Sequence, residues 1–222
     1  MNYVLLLHKV EDYTSWKKIN EATIIRVIMS EEWDEYAENW DSNAEVITYS
    51  DNAFKTLLDA VNINGLRILD FGCGTGLLTE RMSPLAKEIV ALDSSVKMIS
   101  TLTNKKLTNV FTVSDELTKE LIRNNTLFSE KFDLIVASSV CSFLPEYEKT
   151  LDLLKSLLVP EGTFVQWDWL ATEENSDFGL SRETIANAYN KVGLQLQALD
   201  QAFVSSSSEG DMPVLMGIAK NI

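Results

Sequence analysis

Residues 66–76 of this chain read Leu-Arg-Ile-Leu-Asp-Phe-Gly-Cys-Gly-Thr-Gly. The apolar run favours a buried strand that ends at Asp70, and three glycines follow at a spacing of two: Gly72, Gly74 and Gly76. A helix-like segment begins directly after them. Glycine lets the backbone turn sharply and lets a ligand touch the main chain, so a loop like this before a helix favours a nucleotide-like ligand. The stretch therefore predicts an α/β fold with a ligand-binding first loop.

The glycine spacing narrows the choice of ligand. The dinucleotide fingerprint G-x-G-x-x-G/A would need a small residue at position 77 or 79, where the chain has Leu77 and Thr79. The pattern that starts at Asp70, D-x-G-x-G-x-G, instead resembles the first motif of class I S-adenosylmethionine-dependent methyltransferases. On the loop alone, a tight turn that holds no ligand is the alternative.

The bulk properties exclude several classes of protein. A length of 222 residues suits one α/β domain with a small addition. The net charge of −14 disfavours nucleic acid as a partner. The apolar run 4–7 is too short for a membrane span or a signal peptide, so we expect a cytoplasmic protein without membrane contact. One histidine, His8, and two cysteines, Cys73 and Cys141, predict no metal site and no disulfide framework.

Strands and helices alternate after the glycine loop, as in a parallel sheet with crossover helices. Pro145 is predicted in the first turn of a helix that ends near 158, and residues 160–162 are predicted to turn into the fifth strand. The serine run 205–208 is predicted as a mobile loop between two final strands. That connection is too short for a crossover, so these strands should form an antiparallel hairpin. The fold class is thus α/β, with a Rossmann-like methyltransferase sheet of seven mostly parallel strands, a C-terminal antiparallel hairpin and helices on both faces.

The N-terminal residues differ from the rest. Residues 1–28 predict a strand and a helix that faintly resemble the start of a ferredoxin-like dimeric α+β domain. We expect this extension to add to a sheet edge or to meet a second copy of the chain, which would give a homodimer. The methyltransferase domain is predicted to occupy residues 29–222.

A tryptophan-rich helix is predicted just before the core domain. Residues 33–41 read Trp-Asp-Glu-Tyr-Ala-Glu-Asn-Trp-Asp, and their aromatic side chains fall on one helix face. They resemble the W-D-x-x-A-x-x-W/Y-D pattern that precedes the first motif in many small-molecule methyltransferases. The resemblance implies a lid over the methionine end of the cofactor, with Tyr36 at the cofactor and Trp33 at the substrate. Core packing is the alternative.

Acidic residues at strand ends predict the rest of the cofactor site, because ligands bind at the carboxyl edge of such sheets. Asp93, 21 residues after Gly72, is placed to accept the hydroxyl hydrogens of a ribose, with Ser94 beside it. Its alternative role is a helix N-cap. Asp115 resembles the acid that accepts the adenine amino group, although the adjacent Glu116 leaves the register open and a surface loop is an alternative.

Two further residues are assigned to the amino acid part of the cofactor. Asp70 would add negative potential near the ammonium and the sulfonium. By resemblance, Ser138 would offer a backbone carbonyl to the amino group.

The end of the fifth strand supplies the acceptor side. Methyl transfer from a sulfonium is an in-line displacement that depends on alignment, so a base is needed only when the acceptor keeps its proton until late. Asp168 is the predicted catalytic group, and its neighbours Trp167 and Trp169 would form aromatic walls for the substrate. Tryptophans that merely pack beneath a helix are the alternative.

The order of later motifs, including 132–135 and 158–162, also resembles the methyltransferase family. The resemblance implies transfer of a methyl group from S-adenosyl-L-methionine to a small molecule, with S-adenosyl-L-homocysteine as the product. Two alternatives stay open: a non-catalytic cofactor-binding or regulatory protein of the same fold, and the less favoured nicotinamide oxidoreductase.

Overall fold

The computed structural model describes residues 33–171, 179–207 and 210–222. The strand and helix predicted within residues 1–28 lie outside the described residues. The first described helix, α1, covers residues 33–40, and α2 follows at Ala44–Ala60. The side chain of Asn43 accepts from the Glu45 N–H and so caps α2.

One seven-stranded sheet organises the described chain. Its spatial order is β3-β2-β1-β4-β5-β7-β6. The first five strands are parallel, and β7 is antiparallel to both β5 and β6. This arrangement confirms the predicted fold class and its closing hairpin. The strands are β1 Arg67–Phe71, β2 Glu88–Asp93, β3 Val110–Ser114, β4 Phe132–Ser138, β5 Leu158–Trp169, β6 Leu194–Ser207 and β7 Gly210–Asn221.

Helices cover both faces of the sheet because alternate strand residues point to opposite sides. On β1, Ile68 packs in one apolar cluster with Leu57 of α2, whereas Leu69 packs in the other with Leu151 of α6. The remaining helices are α3 Leu77–Met82, α4 Val96–Asn104, α5 Lys119–Asn124, α6 Tyr147–Leu157 and α7 Arg182–Val192, with 3₁₀ turns at Thr126–Phe128 and Cys141–Phe143.

The strand order places a crevice at the centre of the sheet. The chain runs outward from β1 through β2 to β3 and then returns to β4 on the other side of β1. Connections from β1 and β4 therefore diverge at their carboxyl ends, which is where ligands bind in such folds.

Three predictions about the connections are wrong. Residues 160–162 lie inside β5, which bulges there, with Glu161 at a φ of 63° and a shifted pairing with β4. Residues 205–207 continue β6, because Ser205 pairs with Met212 and so extends the ladder. Pro145 lies before α6 and not in its first turn, because a 3₁₀ turn follows β4 and α6 begins only at Tyr147.

Candidate active site

A cavity of about 1,400 Å³ opens at the carboxyl ends of the central strands. It brings together most of the residues that the sequence assigned to a site. The predicted residues in its lining are Trp33, Asp70, Gly72, Gly74, Asp93, Ser94, Asp115, Ser138 and Trp169. The predicted residues outside its lining are Tyr36, Gly76, Trp167 and Asp168.

Gly74 is the glycine that leaves room in the cavity. Its φ of +54° lies in the left-handed region, and a Cβ there would meet nothing closer than Trp40 Nε1, at 3.9 Å. A side chain at this position would occupy the space above the loop. This small cradle fits the close approach of a ligand to the main chain, so the residues present fit the cofactor that the sequence pattern implies.

Gly72 and Gly76 are small for a different reason. A Cβ on Gly72 would lie 2.5 Å from Cγ2 of Val140, and one on Gly76 would lie 2.3 Å from Cδ1 of Leu102. Both positions are therefore filled by neighbouring side chains. These two glycines let the loop pack against α4 and against the segment that follows β4.

Asp93 joins the glycine loop to the end of β2. Its Oδ2 accepts from the Gly74 N–H at 2.9 Å, and its Oδ1 accepts from the Ser95 N–H at 2.8 Å. Ser95 is the N-cap of α4, because its hydroxyl accepts from the Met98 N–H. Burial raises the pKa of Asp93. Asp93 thus anchors the loop from beside the cavity and is not itself the N-cap.

Asp70 is a buried carboxylate at the base of the cavity. Its Oδ2 accepts from the Thr79 hydroxyl at 2.5 Å. Burial raises the pKa of Asp70 to about 7, and the nearby charge of Asp93 acts in the same direction. The site therefore holds an acid whose charge changes near neutral pH.

Asp115 and Glu116 both line the cavity beyond β3, so the structure leaves the register between them open. The Asp115 N–H donates to the Asp93 carbonyl at 3.1 Å, and the Asp115 carboxylate accepts from the Glu116 N–H. Ser138 ends β4 and faces the same cavity. The ends of β2, β3 and β4 therefore converge on one cavity.

Helix α1 covers the glycine loop with an aromatic cluster. The rings of Trp33 and Trp40 lie 5.8 Å apart, and Trp33 meets Phe143 edge to face at 5.4 Å. Tyr36 packs against Trp33 and Trp40, outside the cavity lining. We refer to α1 as the lid helix.

A second aromatic cluster contains Trp169, which the sequence predicted as a wall, and also Tyr49 and Phe203, which it did not. Tyr49 of α2 lies 5.1 Å from Trp169 and 5.1 Å from Phe203, measured between ring centroids. The Trp169 indole N–H donates to the Ser139 hydroxyl at 3.1 Å. The sequence signal for Tyr49 is its place on the apolar face of α2, which indicates burial and says nothing of a cavity.

Trp167 and Asp168 are part of the core. Trp167 is fully buried, and its indole N–H donates to the Thr56 hydroxyl at 3.0 Å. Asp168 is also fully buried, and it accepts from the Ser142 N–H and from Gln166 Nε2, each at 2.9 Å. The structure does not bring either side chain to the cavity, and Trp167 packs as the alternative interpretation expected.

Asp168 belongs to a buried polar network. Gln166 Oε1 accepts from the hydroxyls of Tyr147 and Tyr189 at 2.6 and 2.9 Å. Burial raises the pKa of Asp168 to about 7, against the lowering effect of the hydrogen bonds from Ser142 and Gln166. The carboxylate fastens the 3₁₀ turn that carries Phe143 into the cavity wall.

Within residues 33–171, 179–207 and 210–222, no three His, Cys, Asp or Glu side chains are grouped as metal ligands would be. In the same part of the chain, every helix is too short or too polar to cross a bilayer.

Sequence comparison connects this site to known proteins. The profile of the family described as "Methyltransferase domain" matches residues 69–164, from β1 into β5. An uncharacterized methyltransferase of Schizosaccharomyces pombe is 29% identical over 47% of this chain and 41% of its own length. A ubiquinone biosynthesis O-methyltransferase of Paraburkholderia phymatum is 27% identical over 55% of this chain and 54% of its own length. The chain thus spans about half the length of these relatives.

Solved structures share the fold over a larger part of the chain. The N-methyltransferase NodS from Bradyrhizobium japonicum, in complex with S-adenosyl-L-homocysteine, superposes with a TM-score of 0.63 at 20% identity, over 82% of this chain and 90% of its own. An S-adenosylmethionine-dependent methyltransferase from Aquifex aeolicus gives a TM-score of 0.69 at 19% identity, over 85% and 98%.

Proposed function

We propose that this chain, which matches the methyltransferase-domain profile over residues 69–164 and has the fold of S-adenosylmethionine-dependent methyltransferases, transfers a methyl group to a small molecule. S-adenosyl-L-methionine would bind in the cavity above the glycine loop, and S-adenosyl-L-homocysteine would remain after transfer. The observation that carries this proposal is the open position at Gly74, held against Asp93 at the neighbouring strand end.

Each part of the cofactor has a candidate partner in this chain. Asp93 keeps acceptor capacity beyond its bonds from backbone N–H groups, so its carboxylate suits the two hydroxyls of a ribose. Asp115 suits the adenine amino group. Asp70 and Ser138 suit the amino acid part, where negative potential and a carbonyl favour an ammonium group. When bound, the cofactor supplies a methyl group activated by the sulfonium.

The acceptor would lie between the two aromatic walls. One wall is the contacting pair Trp33 and Phe143, and the other is the contacting pair Tyr49 and Trp169; all four line the cavity. Flat apolar walls orient a small organic acceptor, and alignment alone accounts for as much as about 7–11 kcal/mol of a reaction barrier. Aromatic faces also attract a cationic acceptor. Asp168 lies behind the wall, so we propose that it positions the Phe143 turn and does not touch the acceptor.

Calorimetry tests the cofactor. We expect the protein to bind S-adenosyl-L-methionine and S-adenosyl-L-homocysteine and to give no heat with NADH. Binding of NADH alone would instead favour the nicotinamide oxidoreductase.

A product assay tests the transfer. Formation of S-adenosyl-L-homocysteine should depend on the acceptor in a panel that includes phenols and amines, because the relatives include an O- and an N-methyltransferase. Binding of the cofactor without turnover on any acceptor would favour the non-catalytic alternative.

We also propose a cytoplasmic location, no nucleic-acid partner, and a homodimer formed through residues 1–28. Light scattering of the chain with and without those residues tests the dimer.

A further inference from the structure

The lid helix is bonded to the core by an acid near each of its ends. Oδ1 of Asp34 accepts from the Ser95 hydroxyl at 2.5 Å and from the Lys97 N–H at 3.1 Å. Beyond the other end of the helix, Asp41 accepts from the Thr75 hydroxyl and forms an ion pair with Lys105 Nζ at 2.8 Å. Two separate attachments therefore hold one short helix in place.

Both attachments reach the elements that form the cofactor cavity. Thr75 lies between Gly74 and Gly76 in the glycine loop and is 1% exposed. Ser95 follows Asp93 by two residues and is fully buried. Between the two attachments, Nε1 of Trp40 lies 3.9 Å from the position that a Cβ on Gly74 would take. The lid helix is thus fastened across the loop on which the ligand would rest.

Helix capping alone does not explain Asp34. Ser95 already caps α4 through its contact with the Met98 N–H. The Asp34 carboxylate accepts from the Ser95 hydroxyl, 61 residues away in sequence, and from the Lys97 backbone N–H, 63 residues away. A contact over that distance joins the lid to the core, whereas a cap for α4 needs only local residues.

We propose that Asp34 and Asp41 are latches: positioning residues that keep the lid helix closed and thereby set the rate at which the cofactor and its demethylated product leave. This inference rests on the proposed function. Each latch is a hydrogen bond to a charged carboxylate. Removal of such a bond changes an equilibrium constant about tenfold or more.

Stopped-flow tryptophan fluorescence with S-adenosyl-L-homocysteine tests the latches in the full chain. This probe is used because the product lacks the sulfonium charge. Asp34→Asn and Asp41→Asn should each raise the dissociation rate about tenfold. Thr75→Val should act like Asp41→Asn, whereas Thr75→Ser, which keeps the hydroxyl, should restore slow release.

Two exposed acids on the same helix give matched controls. Glu35→Gln and Glu38→Gln remove the same charge from the lid helix without touching either latch, so their dissociation rates should stay at the wild-type value. Equal dissociation rates for Asp34→Asn and Glu35→Gln would overturn the latches and leave the proposed function intact. Failure of the wild-type protein to bind S-adenosyl-L-homocysteine would overturn the proposed function, and the latches with it.

A double-mutant cycle separates the latch from a general loss of stability. Ser95→Ala removes the partner of Asp34 and also weakens the α4 cap. If the two side chains form one latch, Asp34→Asn should raise the dissociation rate less in the Ser95→Ala background than in the wild type, because only the bond from the Lys97 N–H is then left to lose. Fully additive effects on the dissociation rate would overturn the latch at Asp34.

Discussion

The buried carboxylate of Asp168 makes stability depend on pH in an unusual direction. The perturbation is Asp168→Asn, which keeps the shape and removes the ionisation. The amide oxygen can still accept from Ser142, and a flip of the Gln166 amide lets that side chain pair with both the new amide and the tyrosine hydroxyls. We therefore expect the variant to fold.

The magnitude follows from the two pKa values of Asp168. In the folded protein the pKa is about 7, and the ordinary value is 3.8. A carboxyl with a raised folded pKa contributes its full stability below the unfolded pKa, and it loses that contribution as pH rises toward the folded pKa. Between pH 5 and pH 8 the wild-type protein should lose about 2.5 kcal/mol through this residue. Asp168→Asn should not lose it.

Urea denaturation at pH 5 and pH 8 measures the effect. The free energy of unfolding of Asp168→Asn, relative to wild type, should rise by about 2.5 kcal/mol between those two pH values. Asp59→Asn, an exposed change on α2, serves as the control and should follow the wild-type curve at both pH values. Parallel curves for wild type and Asp168→Asn would refute the raised pKa of Asp168.

Three further single variants and one double variant separate binding from packing. Gly74→Ala should keep the melting temperature within a few degrees but weaken S-adenosyl-L-homocysteine binding in calorimetry, because its Cβ fills the cradle. Gly76→Ala should destabilise the fold by about 2–4 kcal/mol in urea, since its Cβ clashes with Leu102 and its φ is +80°. Adding Leu102→Ala should recover the part of that loss that comes from the clash. Asp93→Ala should weaken S-adenosyl-L-homocysteine binding by about 100-fold; binding unchanged in either Gly74→Ala or Asp93→Ala would contradict the proposed site.

The sequence predicts best what is encoded locally. The strand that carries Asp70, the glycine spacing and the acid at Asp93 lie in consecutive elements of one βαβ unit, so their meeting at one sheet edge follows from topology. The closing hairpin follows from the length of a single connection. These parts of the fold and the site need no knowledge of distant contacts.

The acceptor side of the site was harder to predict. It depends on the sheet face to which each side chain points and on packing between elements far apart in sequence. Alternation along β5 sends Trp167 and Trp169 to one face and Asp168 to the other, so the three side chains could not share one pocket. That signal was present in the sequence. Tyr49 is different: its meeting with Trp169 depends on how α2 lies across the sheet, which helical periodicity does not specify.

The bond between Asp93 and the Gly74 N–H has a consequence for the thermodynamics of recognition. Together with the donations from Gly72 and Cys73 to the Leu92 carbonyl, it immobilises the loop in the protein alone. Ordering a residue costs about 1–2 kcal/mol of conformational entropy, and here folding has already met that cost. A ligand therefore encounters a preorganised template, and an analogue with extra bulk at Gly74 meets a backbone that has little freedom to yield.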